Sequence, residues 1–297
     1  MEKHQIQLQY DEMKSLFSSS PINPEITELF KNINNLCLSE IENLEKISLK
    51  SNTTAKGKNY IVFRNTNSGK ISRPVNIDLY TEGMGANISG IPKVEVFWNN
   101  VLSQTIAEQP ARDITTALYA VAMNYCCCSD LINGINKNAG GYFEKLIGHL
   151  YSRHLKICPS TQMNAVELDD TSISLPTDFI FNMGPNRPKF HVPVKTSTRE
   201  RVVEVWAQQR ILDGAFGVGR FICLLTCIGE TNMEKNLSVG ITCVPNQWIN
   251  YQLFVSQIKR AYYLDIPDKY NELNNRFPRI HVKEFGEFFH ETDKLYD

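Results

Sequence analysis

Apolar positions near the start of the chain recur at helical spacing. In SSSPINPEITELFKNINNLCLSEIENLEKISLK, Pro21 and Pro24 stand near the beginning, and Ile26, Leu29, Phe30, Ile33, Leu36 and Ile41 follow close to a 3.6-residue period. Residues 10 to 20 and 21 to 50 therefore read as helical, and SNTTAKGKN after them as a polar loop. From residue 60 to 98 the pattern changes to short apolar runs, IVF, VNIDLY and VEVFW, broken by Asn, Gly and Pro, which predict strands. Residues 112 to 131 return to helix. No Pro/Gly/Ser-rich linker follows, so residues 1–120 are expected to form an N-terminal α+β region packed on the remainder.

Beyond residue 138 the pattern is more specific. NAGGYFEKLIGHLYSRHL places Phe143, Leu146, Ile147 and Leu150 on one face of an amphipathic helix. LPTDFIFNM and KFHVPVKTST, separated by the turn-rich GPNRP, read as a hairpin. In RERVVEVWAQQRILDG, Val202, Val203, Trp206 and Ile211 share a helix face that Gly214 would end. RFICLLTCIGE and LSVGITCVP are near-continuous apolar runs, as in central strands covered on both faces. A last helix is predicted over 248–263, and IHVKEF as an edge strand. Residues 121–297 thus predict an α/β domain, a mixed β-sheet flanked by helices.

With 297 residues, 42% of them hydrophobic, the chain can bury one large core or two small ones without staples. Thirty-one Lys and Arg against 32 Asp and Glu give a net charge of −1, which excludes a uniformly basic coat for nucleic acid but not a local basic stripe. No apolar run is long enough for a bilayer span, and MEKHQIQLQYDEMKSLF lacks the apolar core of a signal peptide. A soluble, cytoplasmic protein without membrane contact is expected. Cys126, Cys127 and Cys128 are consecutive, and Cys223 and Cys227 lie in FICLLTC, so neither matches zinc spacing. The cysteines read as reduced small hydrophobes.

Three element ends in this half carry ionisable residues: Glu144 on the first helix, Asp178 in LPTDF, and Lys195 closing VPVK. Adjacent strands of a hairpin bring such residues together if the register is right. A carboxylate beside a lysine can hold a divalent cation next to a group that moves protons or stabilises charge, which phosphodiester hydrolysis requires. Spacing alone favours a plain surface ion pair. The seven residues Lys195-Thr196-Ser197-Thr198-Arg199-Glu200-Arg201 shift that balance, with three cations, three hydroxyls and one carboxylate at a strand-to-helix junction. Ser197 or Thr198 can cap the helix. Arginines in its first turn oppose the macrodipole, an arrangement that makes sense if they face phosphate or the acceptor edge of guanine. Glu200 can accept from the cytosine amine.

Gly141-Tyr142-Phe143-Glu144, Pro176-Thr177-Asp178 and the run from Val194 to Arg201 resemble the PD-(D/E)XK nuclease core. More narrowly, they resemble type II restriction endonucleases of the branch that reads CCGG, CCNGG or CCWGG-type sites. The resemblance spans roughly residues 138 to 230, about a third of the chain. It implies Asp178 as metal-binding aspartate, Lys195 as catalytic lysine, Glu144 as supporting helix glutamate, and Arg199, Glu200 and Arg201 as base-reading residues, with Thr196, Ser197 and Thr198 beside the DNA. The acid that usually stands two positions before the lysine is Pro193 here. In that branch it has moved to about 13 or 14 residues beyond the lysine, positions held here by Gln208 and Gln209. Gln208, or Glu204 one turn earlier on the same helix face, is then the third metal ligand beside Asp178 and the Val194 carbonyl. The implied protein is a homodimer that cuts double-stranded DNA with Mg²⁺ at a G/C-containing palindrome. A structure-specific repair nuclease and a non-catalytic DNA-binding protein are the alternatives.

Other residues read more plainly. Asp169 and Asp170 read as solvated acids, His149, His154 and His191 as helix-surface or strand-edge histidines, and DGAFGVGRF as a connector. Lys56, Lys58 and Arg64 suit a DNA backbone or a solvated loop equally, and Trp98, Trp206 and Trp248 read as core.

Overall fold

The computed structural model describes residues 4–168 and 171–296, with the side chains of residues 164–173 and of Glu200 outside that description. Asp169 and Asp170 therefore lie outside the described residues. The chain opens with α1 (Gln5–Ser19) and α2 (Glu25–Ile41), whose stripes, Ile6, Tyr10, Met13, Phe17 and Ile26, Phe30, Ile33, Cys37, are buried. Helix does not continue to residue 50: β1 (Glu45–Ser48) and β2 (Lys50–Ser51) follow, because Ile47 and Leu49 alternate toward a small separate core with Tyr60, Val62 and Val239.

β3 (Tyr60–Arg64) forms as expected and pairs with β1 and β4 (Val75–Asn76). The other two predicted strands are helices. VNIDLY gives only β4 and then α3 (Ile77–Met84), with Asn76 accepting from Leu79 N at 3.4 Å as the cap. VEVFW belongs to α4 (Lys93–Ser103), where Val94, Phe97, Trp98 and Val101 make a buried i, i+3, i+4, i+7 set whose last member lies beyond the five-residue run. α5 (Ala111–Leu131) is buried on nearly every side, Cys126, Cys127 and Cys128 included. α6 (Ala139–Leu155) completes the helices before the main sheet.

That sheet comprises β5 (Ser160–Leu168), β6 (Thr171–Phe181), β7 (Lys189–Val192), β8 (Val194–Lys195), β9 (Phe221–Cys227), β12 (Arg260–Tyr263) and β13 (Val282–Glu284), with α7 (Val202–Phe216) linking β8 to β9. Between β9 and β12 the chain makes the hairpin β10 (Thr231–Glu234) and β11 (Ser238–Ile241), then α8 (Pro245–Phe254). The order is β13-β12-β9-β7-β6-β5, with β8 continuing alongside β9. β5, β6 and β7 are antiparallel, whereas β7, β8, β12 and β13 run parallel to their neighbours, so the sheet is mixed.

β9 shows why its sequence reads as continuously apolar. Leu224 joins the core shared with α6 and the N-terminal helices, while Cys223, Leu225 and Cys227 join the core under α7 and α8. The first core runs from Ile6 to Leu295 and contains residues of both halves of the chain.

Several expectations fail for definable reasons. LSVGITCVP is not central; it gives β11 in a small sheet with β10 and β2. The last helix stops at Phe254, where the Gln252 side chain binds both Ile258 N (3.0 Å) and Ile258 O (3.1 Å) and turns the chain, and the four residues of β12 are all buried. On α7 the inward face is Val202, Val205, Trp206, Gln209 and Leu212, so Val203 and Ile211 are exposed, and the helix passes Gly214 to end at Gly217 with φ 96°. IHVKEF does supply the edge strand β13, and all three tryptophans are buried. His149 and His191 are fully buried, contrary to a surface reading; His149 is held by Thr27 Oγ1 (2.7 Å) and Pro21 O (2.7 Å). All eight cysteines are free, six of them buried. Among the described residues, no helix is long and apolar enough to cross a membrane.

Candidate active site

Pro193 shapes the centre of the site. It has no N–H to give, and it separates β7 from β8 while both stay beside β9. Thr226 N donates to Pro193 O at 2.9 Å and Ile228 N to Lys195 O at 3.3 Å. The pleat therefore turns the Val194 N–H and carbonyl the other way, toward β6. There Val194 N donates to Asp178 Oδ2 at 2.7 Å. Asp178 is fixed from behind by packing: Phe179 meets Gly148 of α6, where an added Cβ would lie 2.4 Å from the Phe179 ring.

Ile180 pairs with His191 and packs with Leu212 of α7, so Asp178, Ile180 and His191 share the sheet face that α7 covers. Lys195 Nζ is 3.3 Å from Asp178 Oδ2 and 3.7 Å from Glu204 Oε1. Its side chain is only 14% exposed, so the ammonium sits between two carboxylates in a half-buried notch. The two glutamines separate. Gln209 turns inward, accepting from His191 Nδ1 at 3.0 Å through Oε1 and giving Nε2 to Asp213 (3.0 Å) and Phe221 O (3.1 Å). Since a carboxamide oxygen can only accept, His191 carries its proton on Nδ1. Burial pulls the His191 pKa down to about 4, against the bond with Gln209, so the ring is neutral. Gln208 gives Nε2 to Pro176 O at 3.4 Å.

Among the described residues, Gln208 Oε1 and His191 Nε2 are buried without a hydrogen bond of ordinary geometry, and the two side chains lie against each other. Orphaned acceptors of this kind call for an explanation such as an ion or water. Among the described residues no three His, Cys, Asp or Glu side chains gather as a metal group. The oxygens present are instead mixed: the Asp178 carboxylate, the Val194 carbonyl, Glu204 and the Gln208 amide. Such hard oxygens suit Mg²⁺, which takes few protein ligands and keeps its waters. Glu144 stands apart. It pairs with its neighbour Lys145 at 2.5 Å, and no hydrogen bond or ion pair among the described residues joins it to Asp178 or Lys195.

Beyond Lys195 the chain meets a residue that the sequence reading passed over. Glu230 is 1% exposed, yet no cation pairs with it among the described residues. It accepts from Ser197 Oγ (2.7 Å), Thr198 Oγ1 (2.6 Å), Thr198 N (3.0 Å), Arg199 N (3.3 Å) and Tyr263 OH (2.9 Å). Ser197 and Thr198 therefore do not cap α7 through their own side chains; both hydroxyls go to Glu230. Glu230 adds a carboxylate to this helix start, beside Glu204 in the first turn of α7, so the two arginines there stand next to negative charge. Arg199 and Arg201 are exposed, and the Arg199 guanidinium donates to Thr231 O. With Arg73, Tyr119, Thr196 and Thr231 they line a cleft of about 610 Å³. Arg73 is held by Asp130 at 2.8 Å. Lys58 is not a loop cation: it is paired with Asp265 at 2.7 Å. Arg199–Arg201 form a single 3-10 turn, in which the Glu200 side chain lies outside the description.

This fold is that of a restriction endonuclease. The crystal structure of the Type IIP restriction endonuclease Kpn2I superposes with a TM-score of 0.77 over 98% of this chain and 97% of that chain, at 21% identity. A restriction endonuclease PspGI–substrate DNA complex matches 74% of this chain and 87% of that chain, at 15% identity and a TM-score of 0.41. No protein-family model matches the chain, and neither does any curated protein.

Proposed function

We propose that the protein is a type II restriction endonuclease: a Mg²⁺-dependent, sequence-specific hydrolase of phosphodiester bonds in double-stranded DNA. The observation that carries this reading is the seat of Lys195 between Asp178 and Glu204 at 3.3 and 3.7 Å, one step from a segment that presents Arg199 and Arg201 to an open cleft. The fold shared with Kpn2I, described as a Type IIP restriction endonuclease, supports it. Twofold symmetry of a palindromic G/C-containing site would be matched by a homodimer.

Asp178, the Val194 carbonyl and either Glu204 or Gln208 would hold Mg²⁺ against the scissile phosphate. When bound, the ion supplies Lewis-acid stabilisation of the phosphate's negative charge. Lys195 orients the attacking water, relays its proton by passing one of its own to a neighbouring carboxylate as it accepts the water's, and offsets charge that builds on the non-bridging oxygens. Asp178 keeps the ammonium in place, and Val194 N keeps Asp178 in place. The neutral His191 ring, tied through Gln209 to Asp213, adds no positive charge beneath the site.

The reading is tested by incubating the protein with Mg²⁺ and unmethylated phage DNA and sequencing the fragment ends. Discrete ends that share one short palindrome are the expected result. A smear, or cutting confined to branched substrates, would replace it with structure-specific cleavage; metal-independent binding without cleavage would leave only a DNA-binding protein. A second expectation concerns readout: Arg199→Ala or Arg201→Ala should cost roughly 1–3 kcal/mol on the recovered sequence and little on unrelated DNA. Equal weakening on all sequences, in a gel-shift titration, would make them phosphate contacts instead.

A further inference from the structure

Residues 228 to 231 follow residues 195 to 199 almost step for step. Ile228 N donates to Lys195 O (3.3 Å), Gly229 N to Thr196 O (3.4 Å), Glu230 collects the hydroxyls and amides of Ser197 to Arg199, and Thr231 O receives the Arg199 guanidinium. A buried carboxylate without a cation is costly, so a protein retains one only where directed hydrogen bonds satisfy it. Backbone N–H groups can only donate, so Thr198 N and Arg199 N require an acceptor in place, and Glu230 supplies both oxygens. Tyr263 of β12 fixes Oε1 from the sheet side at 2.9 Å, so the anchor is tied to the rigid centre of the fold rather than to a loop.

From this geometry, we infer that Glu230 is the positioning residue of the recognition segment. By gripping Ser197, Thr198 and the Arg199 amide, it sets where the Arg199 and Arg201 side chains enter the cleft. It therefore governs discrimination between DNA sequences rather than affinity for DNA in general. The inference rests on the proposed function, since it assumes that this segment reads bases. Glu230 touches no substrate atom itself. Replacement by glutamine keeps the shape but removes the charge and leaves one acceptor oxygen, and its NH₂ faces the Thr198 N–H whichever way the amide turns, because that N–H donates to both oxygens of Glu230 (3.0 and 3.1 Å).

The test compares binding of wild type, Glu230→Gln and Thr198→Val by fluorescence anisotropy without divalent metal. Three duplexes are used: the sequence recovered from fragment ends, a single-base variant of it, and an unrelated duplex. For Glu230→Gln the ratio of affinities for the recovered sequence and its variant should fall by about tenfold or more, while affinity for the unrelated duplex stays within about twofold. Loss of the same size on all three duplexes would show a merely structural role, and an unchanged ratio would also overturn the inference. Thr198→Val removes one bond to Glu230 at nearly constant volume; a fall in the ratio of about threefold is expected. Should Glu230→Gln lack a cooperative melting transition, this second variant decides: a folded Thr198→Val with the wild-type ratio overturns the inference. A wild type without sequence preference removes the proposed function itself, and the inference with it.

Discussion

Lys195→Ala is expected to lose Mg²⁺-dependent cleavage of duplex DNA by about 10³-fold or more, with DNA binding largely intact. The size follows from two roles in one group: proton transfer is typically worth about 10²–10⁴ in rate, and a positioned donor on developing charge about 10²–10³. No neighbour can replace it. The nearest groups are the carboxylates of Asp178 and Glu204, and the His191 ring beneath them is neutral and buried. Binding survives because the arginines lie on the next turn of chain, anchored by Glu230 and Thr231 rather than by Lys195. Asp178 also keeps its Val194 N–H at 2.7 Å, so the strand tips should hold their shape in the variant. Single-turnover assays on the recovered sequence, beside gel shifts with the same protein, measure both halves. Cleavage within about tenfold of wild type would remove Lys195 from the mechanism.

The fold was legible in the sequence where one pattern ran long enough to be unambiguous. α5, α6, β9 and the β6–β7 hairpin all fall where periodicity or continuous apolarity placed them. Short windows failed. Five residues of VEVFW satisfy both strand composition and a helix face, and only Val101, one turn on, breaks the tie. The four residues of β12 read as part of a helix because nothing local marks the turn that Gln252 makes around Ile258.

The same distinction holds at the site. Asp178, Lys195 and Glu204 are brought together because β6 lies beside the β7–β8 run, which carries two of them into contact, and α7 brings the third. Gln209 faces the other way, and its partner is a histidine four positions before Lys195 that spacing on α7 alone could not reveal. Glu230 had no signal in its own context: it only closes the apolar run RFICLLTCIGE. Only the parallel pairing of β8 with β9 carries that strand end beneath the Lys195–Arg199 segment. The one clue was indirect, two arginines at a helix start where they oppose the macrodipole.

Removal of Asp265 is expected to produce the largest loss of stability, about 3–5 kcal/mol, in Asp265→Ala. Asp265 stands just after β12, where its own N–H binds Ile228 O at 2.7 Å beside the strand end that carries Glu230. Its carboxylate reaches into the N-terminal region and takes Lys58 Nζ (2.7 Å), Tyr60 OH (3.1 Å) and Asn76 Nδ2 (3.2 Å). The two charged side chains are 16% and 6% exposed, so truncation strands the ammonium where water can replace its partner only in part. Most of the cost is that stranded charge rather than the worth of the pair, which yields a sharper expectation. Lys58→Met combined with Asp265→Ala should recover part of the loss, because no unpaired ammonium remains. Urea unfolding of the two variants and the wild type, followed by tryptophan fluorescence, measures this through the transition midpoint at constant slope. A loss below about 1 kcal/mol in Asp265→Ala would mean that the pair sits in effectively solvated surroundings. No recovery in the double variant would place the cost on Tyr60 and Asn76 instead.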